Sequence, residues 1–257
     1  MPVLGSNVTR IVAHLVMRNE EHRFLDSCLA WNSQWFDELH VYDDRSTDAS
    51  VNVAAKYTDK LTIRPENEVA FSEHEGEFRQ RAWNDLESRC DMQPGDFVFA
   101  LDADEFLVGN SKDSNPRASL ETLVTFVNAG KHEAASILRP EVWDTSGVVP
   151  KIRIDGFWGA DRVPRFVRWK PKGKIQDVRL GCGSIPTYGL KGPAANIQVV
   201  NLLHFGYTIE NEAQRKYDLY KKTEGNTHNP VHINSLIEHP TLSEWGGPVP
   251  KFWRGNG

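Results

Sequence analysis

Few cysteines, no long apolar run and no excess of basic charge mark this 257-residue chain, and each shortage removes a class of function. Cys28, Cys90 and Cys182 are odd in number and widely spaced, with no C-x-x-C pair, which excludes a zinc knuckle and a dithiol redox motif. Scattered cysteines of this kind are expected as small buried side chains in a reducing compartment. No apolar stretch approaches the roughly 20 residues that a membrane helix needs. Residues 1–7 lack the basic and apolar regions of a signal peptide, so the expected location is the cytoplasm. The formal net charge of −5 gives no global basic field for nucleic acid, although a local basic patch stays open. There is no internal repeat and no low-complexity segment.

What is present is ordinary for a globular protein: 39% hydrophobic and 25% charged residues, in a chain long enough to bury a core unaided. Apolar runs at 11–17, 39–42, 61–64, 97–101, 134–138 and 197–203 predict strands. Helical spacing appears between them, as in Phe24, Leu25, Cys28 and Leu29, in Phe78, Ala82 and Leu86, and in Leu120, Leu123, Val124 and Val127. Short helices are expected at 51–57 and at 210–224, the latter with Ala213, Tyr217 and Tyr220 turned inward. Strands alternating with helices imply βαβ units and a largely parallel sheet. The stretch 143–188 predicts loops and antiparallel strands, and the tail from 226 no more than a turn of helix near Ser235.

Ligands of such sheets bind where strands end and loops begin. Three predicted strands end in acidic clusters: Glu20-Glu21, Asp43-Asp44 and Asp102-Ala103-Asp104-Glu105. Two aspartates at i and i+2 just past a strand can share a hard divalent ion, which neutralises phosphates and a departing diphosphate. A solvated acidic turn is the plain alternative. A calcium loop would need Gly at the sixth position and Glu at the twelfth, where Leu107 and Asp113 stand. An aspartyl phosphatase of the haloacid dehalogenase type shares the strand and D-x-D, but Phe106 stands where it needs Thr or Val.

Three segments in order, Val16-Met17-Arg18-Asn19-Glu20-Glu21, Val41-Tyr42-Asp43-Asp44-Arg45-Ser46-Thr47-Asp48 and Leu101-Asp102-Ala103-Asp104-Glu105-Phe106-Leu107, resemble the family-2 glycosyltransferases of the GT-A fold. The branch whose metal motif reads D-x-D-E-F-L is the most similar. The resemblance covers about the first 110 residues and implies a single GT-A-like α/β domain. Its expected form is a Rossmann-like, mostly parallel sheet flanked by helices. Residues 1–130 would be the nucleotide-sugar and metal half, and 131–257 a less regular acceptor half. The implied reaction moves a sugar from a nucleoside-diphosphate donor, UDP-linked, with Mn2+ or Mg2+ and with inversion. The acceptor (glycan, protein, nucleic acid or small molecule) stays open.

Residue by residue, the resemblance implies that Val16 and Asn19 line the nucleotide pocket and that Asp44 hydrogen-bonds the base. Asp102 would face ribose and metal, and Asp104 would ligate the metal. Arg79 and Arg81 either contact the donor or form a solvated helix face. Arg45 replaces the usual Gly of the acidic turn, so its backbone is expected to avoid a positive φ. His204, at the end of a late strand, stands where the resemblance places a third metal ligand, with a purely structural histidine as the alternative. Trp158-Gly159-Ala160-Asp161 resembles the Trp-Gly-Gly-Glu-Asp stretch of inverting galactosyltransferases, with Gly-Ala for Gly-Gly and without the Glu, which makes Trp158 a sugar contact; Trp143 and Phe157 are further aromatics for a sugar face, and at least one of the three is expected to be ordinary core. The base must come from Glu141, Asp144, Asp155, Asp161 or Asp177. Asp161 is the choice, with Asp144 next, although Arg162 and Arg165 offer Asp161 a purely structural ion pair. Two alternatives remain: a sugar-nucleotide nucleotidyltransferase, against which the Gly-free turn Arg18-Asn19-Glu20-Glu21-His22 argues, and a binding module without catalysis.

Overall fold

A computed structural model describes residues 9–111, 114–130, 132–156, 158–186, 195–223 and 229–250. The elements run β1 (Ile11–Met17), α1 (Leu25–Asn32), β2 (Glu38–Asp43), α2 (Ser50–Ala54), β3 (Lys60–Ile63), α3 (Glu75–Arg89) and β4 (Phe97–Asp102). Next come β5 (Glu105–Gly109), α4 (Pro116–Ala129), β6 (Ala134–Leu138), β7 (Val142–Asp144), β8 (Lys151–Arg153) and β9 (Arg162–Arg168). The chain continues through β10 (Ala195–His204), α5 (Glu212–Lys222), α6 (Pro230–Ser235) and β11 (Leu242–Glu244). No helix among the described residues is long and apolar enough to cross a membrane.

Eight strands form one sheet in the order β3-β2-β1-β4-β9-β6-β10-β5. All run the same way except β9 and β5, which are antiparallel to their neighbours. The mostly parallel α/β sheet expected from the sequence is therefore present. The chain winds outward from β1 to β3 and then returns through α3 to β4 on the other side of β1. That reversal opens a crevice at the carboxyl ends of β1, β2 and β4, the ligand position of open α/β sheets.

Alternation along β1 sends Ile11, Ala13, Leu15 and Met17 to a core shared with α1 and α4. Val12 goes to the opposite core, with Trp83 and Leu86 of α3. Because β1 is covered on both faces, its sequence reads as a continuous apolar run. Helix starts are set locally: His74, Asn115 and Asn229 accept from the backbone N–H groups of Glu77, Arg117 and Val231, and Pro116 and Pro230 occupy first-turn positions.

The antiparallel structure expected within 143–188 is largely β8 and β9, with β7 at its start; β7, β8 and β11 form a separate three-stranded sheet. Two strands were not expected, β5 and β11. Cys28 and Cys90 are buried and Cys182 half-buried, all as free thiols. The predicted helix end at Glu224 and the aromatic Phe157 lie outside the described residues.

Candidate active site

The turns after β1 and β2 lock together. Asn19, at φ 54°, accepts from the Thr47 backbone N–H at 2.8 Å, and the Asn19 N–H donates to Ser46 Oγ at 2.8 Å. Arg45 also adopts a positive φ, 56°. This corrects the expectation that a side chain there would keep it out of the left-handed region. The turn is held in that shape by Asp43, which accepts from the Ser46 N–H at 2.9 Å and the Ser46 hydroxyl at 2.5 Å. Asp44 is buried, with Oδ1 on Arg64 Nε at 2.5 Å and Oδ2 on the Phe71 N–H at 3.1 Å and Arg18 at 3.4 Å.

At the end of β4 the D-x-D turn is knitted by arginines. Arg165 Nη2 donates to Asp102 Oδ2 at 2.6 Å and to Glu105 Oε1 at 2.5 Å, while Glu105 Oε2 accepts from the Asp102 N–H at 2.9 Å. Arg79 lies 3.9 Å from Asp102 Oδ1. Burial alone would raise the Asp102 carboxyl, but Arg165 and Arg79 hold it well below the usual range. Glu105, wholly enclosed, is pushed the other way by its burial.

Asp104 points elsewhere. Its Oδ1 lies 3.3 Å from His204 Nε2, and the other imidazole nitrogen hydrogen-bonds Glu141. Burial works against a charged imidazole here, yet Glu141 and Asp104 outweigh it and push His204 up to about 9. Gly206 lies against the pair: a Cβ at that position would stand 2.6 Å from Asp104 Oδ2 and 2.8 Å from His204 Nε2. One carboxylate oxygen and one imidazole nitrogen thus converge on a spot that only a glycine leaves clear. Among the described residues no group of three or more His, Cys, Asp and Glu converges to hold a metal by itself. Asp102 is therefore not assembled with Asp104 and His204 as the sequence suggested; its carboxylate is turned to Arg165. The remaining pair fits a hard divalent ion that keeps further positions for phosphate oxygens and water.

The pair lines a cavity of about 680 Å³ together with Val16, Arg18, Asp44, Asp161, Tyr207 and residues of helix α5. Arg79 lines it, paired with Glu75 at 2.8 Å. Asp161 lines it too, but its partner is Arg139 at 3.0 Å rather than Arg162 or Arg165.

Several expected residues lie elsewhere. Asn19 serves as a clamp between turns and is not part of the lining. Arg81 follows its solvated reading, paired with Glu77 and Glu68 away from the cavity. Asp144 is bound to Lys151 at 2.8 Å outside the cavity, and Asp155 to Arg153 at 2.7 Å. Trp158 is buried, packs edge-on against Trp143 and Tyr207, and donates its indole N–H to Ser235 Oγ at 3.0 Å. It is core, and Tyr207 faces the cavity in its place.

The sequence did not single out Arg139 or Gly206, and it placed Arg165 beside Asp161 rather than between Asp102 and Glu105, and Glu20 in an acidic cluster without a role of its own. Burial, with Asp104, Glu212 and Asp102 adding and Arg23 opposing, pushes the cavity-lining Glu20 up to about 7. Glu105 held the available signal for the arginines, since a carboxylate following an apolar strand and D-x-D has to find a cation once buried.

No family model matches the chain, and no curated protein matches it. Among solved structures it is similar to glucosyl-3-phosphoglycerate synthase from Mycobacterium tuberculosis in complex with Mn2+ and uridine-diphosphate-glucose. The two are 23% identical over 54% of this chain and 45% of that one, with a TM-score of 0.35. It is also similar to S. aureus TarS, at 12% identity over 89% of this chain and 42% of that one, with a TM-score of 0.43. The chain spans less than half the length of each. The functional reading rests on the site itself.

Proposed function

We propose that this chain is a metal-dependent glycosyltransferase that moves a sugar from a nucleoside-diphosphate donor, UDP-linked, to an acceptor hydroxyl with inversion. One observation carries the reading. Asp104 and His204 converge over Gly206 inside a cavity that also reaches the Asp44 turn. Asp104 and His204 would hold Mn2+ or Mg2+, and Glu141 fixes the His204 ring so that Nε2 faces the site. When bound, the ion supplies positive charge to the departing diphosphate.

The chain's own groups do the rest. Asp44 lines the same cavity with Val16 and Arg18, where the base and ribose would lie. Asp161, which also lines the cavity, accepts the proton of the acceptor hydroxyl as the hydroxyl oxygen bonds to the anomeric carbon and the bond to diphosphate breaks. Arg139 holds that carboxylate in place through its ion pair. General-base help of this kind contributes typically 10²–10⁴-fold.

A screen of nucleotide sugars for slow hydrolysis tests the reading without knowledge of the acceptor. Wild-type protein is expected to hydrolyse a UDP-sugar in Mn2+ or Mg2+ and to stop in chelator and in Asp104→Asn. Undiminished turnover in chelator overturns the proposal, and donor binding with no turnover for any donor or acceptor makes the chain a binding module.

A further inference from the structure

Helix α5 lies along the cavity with Glu212, Arg215, Lys216, Leu219 and Tyr220 on its lining face, an i, i+3, i+4, i+7, i+8 stripe. Such a stripe ordinarily seals a core, but here it carries three charges. Every arginine of the cavity wall already faces a carboxylate within 4.0 Å, as Arg215 does Glu212 at 2.7 Å and Arg23 does Glu20 at 3.1 Å. Lys216 is the one lysine of the wall, and among the described residues no carboxylate lies within that distance of it.

Its ammonium instead sits 4.4 Å from the centroid of the Tyr207 ring. That ring is held from several sides. It stacks on Trp143 at 4.6 Å and 13°, meets Trp158 edge-on at 5.2 Å, and stands perpendicular to the His204 ring at 5.5 Å. A charge on a flexible four-carbon stem is thereby placed on a rigid platform next to the Asp104–His204 pair, near enough to act on the Asp104 and Glu141 carboxylates. A cation with no carboxylate within 4.0 Å among the described residues, facing a cavity beside a pair that would hold a metal, is suited to an anion that spans both. A lysine is the compact point charge that phosphate oxygens accept from any direction.

We infer that Lys216 is a phosphate-binding residue that takes the diphosphate of the donor nucleotide from the α5 side of the Asp104–His204 pair. The inference rests on the nucleotide-sugar reading above. An anionic group on the acceptor has the same chemistry, and the experiment separates the two sources.

Calorimetry on the full chain would compare UDP, UMP and uridine, with Mg2+ and again in chelator, for wild type, Lys216→Met and Lys216→Arg. Wild type is expected to prefer UDP over UMP. Lys216→Met is expected to lose about 10- to 100-fold in UDP affinity, the loss of a hydrogen bond to a charged group, while uridine binding stays unchanged. The loss should persist in chelator, and Lys216→Arg should recover most of it. If Lys216→Met binds UDP as tightly as a wild type that binds it well, the inference is overturned and the cation serves an acceptor. If folded wild type binds no uridine nucleotide at all, the nucleotide-sugar reading itself falls.

Discussion

Replacing Gly206 with alanine puts a single methyl group where Asp104 and His204 meet. The added carbon would stand 2.6 Å from Asp104 Oδ2, 2.8 Å from His204 Nε2 and 3.0 Å from His204 Cε1, where ordinary contact begins at 3.4 Å. Both donor atoms must retreat by more than half an ångström. Metal–ligand distances hold to about ±0.2 Å, so the two cannot retreat and still ligate one ion. Misplacement on this scale costs about 100-fold, which is roughly 2.7 kcal/mol of binding. The fold should suffer less, because both displaced atoms are side-chain ends; overpacking costs typically about 1–3 kcal/mol. Mn2+ titration followed by electron paramagnetic resonance measures the free ion directly, and thermal unfolding of the apo protein reports the fold. A Gly206→Ala protein that binds Mn2+ as tightly as wild type would show that Asp104 and His204 do not share an ion.

Asp44→Ala should cost about 3–5 kcal/mol of stability in urea unfolding, because it strands Arg64 in a buried pair; a loss below 1 kcal/mol would refute that role. Asp161→Asn should bind donor normally yet transfer sugar about 10²–10⁴-fold more slowly, while Asp144→Asn transfers at the wild-type rate. Equal rates for both variants would place the base elsewhere. His14 Nδ1 lies 2.9 Å from His40 Nδ1, and His40 Nε2 lies 2.8 Å from Asp85, so a neutral chain runs His14 N–H to His40 to Asp85. Burial, with His40 and Arg79 adding, holds His14 well below its ordinary 6.5. Below pH 6.5 the unfolded chain takes a proton that folded His14 refuses. Stability should therefore fall toward the folded value by up to about 1.4 kcal/mol per pH unit. Urea midpoints at pH 7 and 5.5 for wild type and His14→Gln check this, and identical pH slopes would exclude it.

The parts legible from sequence are those where burial leaves an unbroken signature. Strands β1, β4 and β6 are covered on both faces and read as apolar runs, and the positions of Asp44, Asp102 and Asp104 at strand ends follow from them. The position of His204, as the polar residue closing β10, is legible for the same reason. What was not legible depends on partners distant in sequence. The five residues of β5 pair with β10, some 90 residues later, and their apolar run Phe106-Leu107-Val108 follows β4 so closely that it does not read as a separate, reversed strand. Arg139 and Arg165 look like surface charges until Glu105 is known to be buried between them. Trp158 matched a sugar-contact motif, but an indole beside Trp143, Tyr207 and a buried Arg153 is worth more as packing. Gly206 is one of 19 glycines, and only coordinates single it out.

The ladder between β5 and β10 pairs Leu203 with Phe106 and His204 with Glu105, so the reach of His204 is gauged against the strand that leaves the D-x-D turn. On its other edge β10 is loosely matched: it spends Asn196 to Asn201 while β6 advances only from Ser136 to Leu138. The two edges tolerate different kinds of sequence drift. A residue gained or lost between 196 and 200 falls in the slack against β6 and leaves the His204 alignment intact. The same change between 201 and 203 turns the imidazole to the opposite face of the sheet. Length variation among proteins built on this plan should therefore gather upstream of Val200, with a fixed count from there to the histidine.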